Sequence, residues 1–129
     1  MKLTDAAQQF VTDRHLATLS TIARDQSIHV VAVGFTLVDG LARVITSGTS
    51  QKVLNLRRDP RASIGQFDGP RWISFAGRAR ILEDAASVDL AVSLYSERYR
   101  QPQPNPLRVV IEIEIDKVMG SSGLVGGRS

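Results

Sequence analysis

Between Val109 and Asp116 apolar side chains fall at every second position, Val109, Ile111, Ile113 and Ile115 alternating with Val110, Glu112, Glu114 and Asp116. Successive side chains of a strand point to opposite faces, so this period predicts a β-strand with one face in a core and the other in water. Such a strand needs partners. His15 to Ile22 and Ile28 to Leu37 crowd β-branched and apolar residues on either side of the turn-like Arg24-Asp-Gln-Ser27, which predicts a hairpin. Leu41 to Ser47, Ala62 to Phe67 and Arg71 to Leu82 bring the count to six strands, with turns at Val38-Asp-Gly40 and Asp68-Gly-Pro70. Helical spacing is confined to Thr4–Arg14, Ser50 to about Asp59, and Ala85–Tyr99. No strand–helix–strand alternation runs through the chain. The expectation is a mainly β, six-stranded antiparallel barrel with short flanking helices, its edges managed by closure or dimerisation. The length of 129 residues suits one domain, 1–120, followed by a glycine-rich, flexible tail, 121–129.

Two strands carry more than fold. In the second, Val30, Ala32 and Gly34 share one face and Val31, Val33 and Phe35 the other, so both faces are expected to be covered. Gly34 marks either a bulge or the close approach of a backbone or ligand. In the fifth, Ile73, Phe75, Ala79 and Ile81 form a core face. Its reverse pairs the only tryptophan, Trp72, with Arg78 and Arg80, which fits a partner surface, an anionic ligand or a solvated face.

Arg43-Val-Ile-Thr-Ser-Gly-Thr-Ser-Gln-Lys-Val-Leu-Asn55 runs from an apolar strand through a polar turn into a helix. Ser50 is a suitable N-cap, and Lys52 then stands in a first turn where the helix dipole disfavours a cation. These residues fit an ordinary cap with a solvated lysine. They equally fit an anion site in which Lys52, free N–H groups and the hydroxyls of Thr46, Thr49 and Ser50 converge on a phosphate. The charge distribution adds weight: residues 41–80 carry net +6 within a chain of net +3. Pro102-Gln-Pro-Asn-Pro106 is a stiff connector flanked by Arg98, Arg100 and Arg108, of the kind that frames a site.

Other chemistry is poorly provisioned. There is no cysteine, the start lacks a secretory pattern, and no apolar run could span a bilayer, so a cytoplasmic protein without membrane contact is expected. His15 and His29 are isolated, no metal spacing is readable, and Glu112 with Glu114 reads as a solvated strand face. Aromatics are only 5% of the chain and do not accompany the arginines, which argues against nucleic acid. An enzyme built from this stock relies on a cofactor.

The order His29-Val-Val-Ala-Val-Gly-Phe35, Thr46-Ser-Gly-Thr-Ser-Gln-Lys52, Asp59-Pro-Arg-Ala-Ser63 and Arg71-Trp-Ile-Ser-Phe-Ala-Gly-Arg78 resembles the pyridoxamine 5′-phosphate oxidase-like split-barrel superfamily of flavin and deazaflavin proteins. Arg43-Val-Ile-Thr46, Glu97-Arg-Tyr-Arg100 and the proline loop before Arg108-Val-Val-Ile111 are most similar to its actinobacterial branch of coenzyme F420-dependent biliverdin reductases. The resemblance implies an FMN-binding split barrel acting as a homodimer, with cofactor sites in the dimer cleft. It assigns the cofactor phosphate to Thr46, Ser50 and Lys52, with Ile45, Ser47 and Gln51 beside them, and the ring system to the strand Val30, Val31, Ala32, Val33, Gly34 and Phe35. Trp72 stands where the pyridoxamine oxidases place a flavin-contacting glutamine, and their C-terminal substrate segment has no counterpart, so vitamin B6 oxidation is not expected. The implied activity is hydride transfer from reduced coenzyme F420 to a conjugated small-molecule acceptor, a biliverdin-like tetrapyrrole first. The net +6 stretch with Arg98 and Arg100 fits the longer polyanionic tail of that cofactor. An FMN oxidoreductase and a non-catalytic deazaflavin or tetrapyrrole carrier are the alternatives.

Overall fold

The computed structural model describes residues 3–14 and 16–125. The elements are α1 (Asp5–Asp13), β1 (Ala17–Ile22), β2 (Ile28–Val33), β3 (Thr36–Val38), β4 (Leu41–Ser47), α2 (Gln51–Arg58), β5 (Arg61–Asp68), β6 (Arg71–Leu82), α3 (Ala85–Arg98) and β7 (Arg108–Gly120). All strand pairs are antiparallel, in one sheet of order β2-β1-β5-β6-β7-β4-β3. The two edge strands, β2 and β3, are consecutive in the chain and separated only by Gly34 and Phe35. Three peptide steps reach about 11 Å at most, whereas the edges of a flat seven-stranded sheet lie roughly 29 Å apart. The sheet therefore curls until its edges meet at Gly34–Phe35, a barrel left open between them.

The class is the expected one, and the seventh strand has a simple origin. Residues 28–37, read as one strand, break at Gly34–Phe35, so that β2 pairs with β1 and β3 with β4. His15, read as the start of the first strand, lies outside the described residues, and β1 begins at Ala17. The core joins Leu19, Phe35, Ile64, Ile73, Phe75, Ile111 and Ile113, all at most 1% exposed. Thr4 caps α1 by accepting from the Ala7 N–H (3.1 Å), which seats Ala7, Phe10 and Val11 in that core. Among the described residues no helix is long and apolar enough to cross a membrane.

The last strand differs from its reading. β7 lies between β6 and β4, and α3 packs on β4 and β7, so the face expected to be wet is covered along its first half. Val110 is fully buried and Glu112 only 6% exposed. Glu112 stands directly across from Arg43 on β4 and Arg80 on β6, and its carboxylate holds both, at 3.4 Å and 2.7 Å. Glu114 and Asp116 alone remain exposed, as expected. Periodicity reveals two faces of a strand but not what lies over the second. The start of the expected flexible tail is also packed. Leu124 is 3% exposed and its carbonyl accepts from the Thr4 hydroxyl, while Ser121 and Trp72 exchange hydrogen bonds; residues 126–129 lie outside the described residues.

Candidate functional site

The end of β4, the turn after it and the first turn of α2 form one continuous ledge, and the proline loop is tied to it. The Gly48 N–H donates to the Leu107 carbonyl (2.8 Å), and the Asn105 amide donates to Ser47 Oγ (2.8 Å) while its own Oδ1 accepts from the Leu107 N–H (2.9 Å). This lashing sets Arg108 and Lys52 in the wall of one cavity of about 380 Å³. Its walls are Ala32, Val33 and Gly34 at the end of β2, Val44 to Ser47 of β4, Lys52, Tyr95 of α3, Pro102, Asn105 and Arg108. Two cations and several hydroxyl and amide groups face it, and no carboxylate does.

Lys52 makes no ion pair among the described residues, and burial pushes its ammonium below the ordinary lysine range. A cation held so, over the positive end of a helix, is stabilised by a bound anion. The Ser50 hydroxyl does not cap α2. It accepts a long hydrogen bond from Thr46 (3.4 Å), leaving first-turn N–H groups of the helix for another acceptor. The donor set fits a phosphate group.

Of the residues assigned from sequence to phosphate or ring, Ala32, Val33, Gly34, Ile45, Thr46, Ser47 and Lys52 meet at this cavity, joined by Arg108 beside the proline connector, while Val30, Val31, Phe35, Ser50, Gln51 and Trp72 do not line it. Ser50 lies behind Thr46, and the Gln51 amide is turned along its own helix to Asn55 Oδ1 (2.8 Å), which in turn donates to Thr21. Val30 is exposed on the outer face of β2, Val31 packs against the core, and Phe35 is wholly buried against Phe75. Trp72 stands near the far end of β7, beside Gly120 and Ser121, whereas the cavity sits at Arg108, so one chain alone does not join them. Tyr95 was missed, and Asn105 was read only as part of the proline connector. The proline run was the signal for Asn105 and Arg108. Tyr95 offered none.

Gly34 proves to be a close approach, made on one side by a tyrosine ring. A Cβ there would lie 3.0 Å from the Tyr99 ring, and Tyr99 Oη accepts from the Phe35 N–H (3.0 Å). Tyr99 stacks on Tyr95 (centroids 4.7 Å apart), so one ring fixes two parts of the cavity wall. Arg98, expected to meet a cofactor tail, instead donates to the carbonyls of Val11, Arg14 and Phe35 and lies over the Phe35 ring. Most of the basic stretch is committed as well. Arg43 and Arg80 are held by Glu112, Arg57 by Glu83, Arg61 by Asp59 and Arg71 by Asp68, while Arg58 donates to the Ile22 carbonyl.

The sequence profile of the family described as pyridoxamine 5'-phosphate oxidase matches residues 3–121. The chain belongs to that family. Within the pyridoxamine 5'-phosphate oxidase family it is 49% identical, over 96% of its own length and 92% of the relative's, to the F420H(2)-dependent biliverdin reductase of Mycobacterium tuberculosis (strain CDC 1551 / Oshkosh). Among solved structures it is similar to a conserved hypothetical protein of Mycobacterium tuberculosis, with a TM-score of 0.78, 27% identity and 98% of both chains covered. An F420 reductase shares the fold at a TM-score of 0.75 and 19% identity, over 90% of this chain and 98% of that one.

Proposed function

We propose that this chain is a coenzyme F420H2-dependent reductase whose acceptor is a conjugated molecule, a biliverdin-like tetrapyrrole first. One observation carries the reading: a cavity lined by two cations that make no ion pair among the described residues, Arg108 donating to the Gln103 carbonyl, and by no described acid, built on the β4–α2 turn of a chain 49% identical to an F420H(2)-dependent biliverdin reductase. Thr46, Ser47, Lys52, Asn105 and Arg108 would hold the phosphate, with Ala32 to Gly34 and Tyr95 beside the ring system. The bound reduced deazaflavin supplies a hydride from its ring carbon. The chain's own part is to anchor, orient and shield, with solvent as the proton source, since among the described residues no carboxylate or histidine lines the cavity.

The proposal includes a homodimer and a cytoplasmic location. Ile28 and Val30, on the outer face of β2, are 72% and 55% exposed, and Leu16, Phe67 and Met119 are exposed apolar residues as well. A second copy seated there would cover the face that the sequence reading expected to be covered, and would offer Trp72 a cavity on its partner. FMN is the second reading. It is favoured by the committed arginines, which leave fewer free charges for a long polyanionic tail.

The direct test is anaerobic turnover with F420H2 and biliverdin, following oxidised deazaflavin against loss of biliverdin. Stoichiometric conversion is expected. Tight cofactor binding without turnover on biliverdin or other conjugated acceptors would instead make the chain a carrier.

A further inference from the structure

Among the described residues only two polar side chains are as little as 1% exposed, Asn55 of α2 and Thr21 of β1, and they meet. Asn55 Nδ2 donates to Thr21 Oγ1 (3.0 Å). Asn55 Oδ1 accepts from Gln51 Nε2 (2.8 Å) and from Arg58 Nη2 (3.4 Å), and the same Arg58 nitrogen donates to the Ile22 carbonyl (2.8 Å). A guanidinium only donates, so the acceptor end of the Asn55 amide has to face Arg58 and its donor end Thr21. A buried leucine would fill the same space without needing partners. What the amide adds is direction.

We infer that Asn55 is a positioning residue for the phosphate site: through its bond to Thr21 it fixes the rotation of α2, and with it the direction of Lys52 three residues earlier. The inference rests on the reading of the β4–α2 ledge as that site. α2 has eight residues, no side-chain cap at its start and no acid in its first turn, so its orientation has to come from what it packs on. Val53 and Leu56 draw it into the core, but apolar contacts choose no angle. The helix follows β4 in the chain and is hydrogen-bonded to the end of β1, two strands that are not neighbours in the sheet. A side-chain end about 5–6 Å from a helix axis moves by about 2 Å when the helix turns by about 20°. That shift is enough to break a hydrogen bond. Lys52 lines the cavity and Asn55 does not, so Asn55 reaches a ligand only through the helix.

The test is a fluorescence titration of the full-length chain with coenzyme F420 and with flavin mononucleotide, each variant's denaturant midpoint being measured alongside. Asn55→Leu alone strands the Thr21 hydroxyl and lowers the midpoint, whereas Thr21→Val with Asn55→Leu removes both polar partners and is expected to restore it. Positioning predicts that this double variant binds the preferred cofactor about fivefold more weakly or worse at a near-normal midpoint. Thr21→Val alone should show a smaller loss, and Thr21→Ser, which keeps the hydroxyl, none. Because the effect passes through Lys52, Lys52→Met should weaken binding in the wild-type background and add little in the double variant. Affinity that returns with stability, or Lys52→Met costing the same in both backgrounds, would overturn the inference and leave the phosphate site standing. A wild-type chain that binds neither cofactor would overturn the site and the inference together.

Discussion

Two groups of cations sit on the same few strands and do opposite things. Arg43 and Arg80 flank Glu112 on the central sheet, opposite charges locked across β4, β7 and β6. Lys52 and Arg108 line one cavity with no acid among the described residues of its wall. Counted along the sequence they are alike, and all but Arg108 belong to the net +6 stretch. What separates a structural cation from a ligand-binding one is whether the fold supplies its counter-charge, and that is a property of strand register, not of composition. The first group holds the barrel together. The second has no acid partner among the described residues, and a bound anion would supply one.

The largest effect should come from unlocking the first group. Glu112→Ala leaves Arg43 largely buried and unpaired, and is expected to cost about 3–5 kcal/mol, read as a lower denaturant midpoint at unchanged slope. Replacing Lys52 inverts the outcome. Lys52→Met should leave the ligand-free chain as stable as before or more so, because burial already disfavours its charge, while cofactor affinity falls by about 1.5–3 kcal/mol in a binding titration. If Lys52→Met also destabilises the free protein as Glu112→Ala does, the distinction between the two groups collapses.

The smallest effect belongs to the exposed pair of Asp59 and Arg61. Hydrogen bonds from Arg61 hold the Asp59 carboxyl at about 2. A carboxyl depressed in the folded state adds stability above its unfolded range, and that increment disappears as pH falls toward the folded value. Because this pair is solvated, Arg61→Ala should return the Asp59 titration midpoint, followed by NMR, toward an ordinary carboxylate while the melting temperature at neutral pH scarcely moves.

How much was legible follows the same division. Leu41–Ser47 and Arg71–Leu82 have the bounds read from sequence, because turn residues mark the start of each. The ledge of Ile45, Thr46, Ser47 and Lys52 was legible because all four lie within eight consecutive residues, where local geometry suffices. The break at Gly34–Phe35 was not, since the chain there moves between the two edges of the sheet without any change in hydrophobic pattern. Nor was the burial of Glu112, which depends on two strands and a helix distant in sequence. Arg98 looked like Arg108 in sequence, both flanking the proline run. Only the fold assigns Arg98 to the carbonyls of Val11, Arg14 and Phe35, and places Arg108, which donates to the Gln103 carbonyl, in the cavity wall.

The central claim is that Lys52 and Arg108 await the phosphate of a deazaflavin. Parallel titration of ligand-free protein with coenzyme F420 and with flavin mononucleotide, each followed by its own fluorescence, tests it most directly. The account predicts saturable binding that favours the deazaflavin and is weakened by Lys52→Met. Preference for the flavin, or binding of neither, would contradict it.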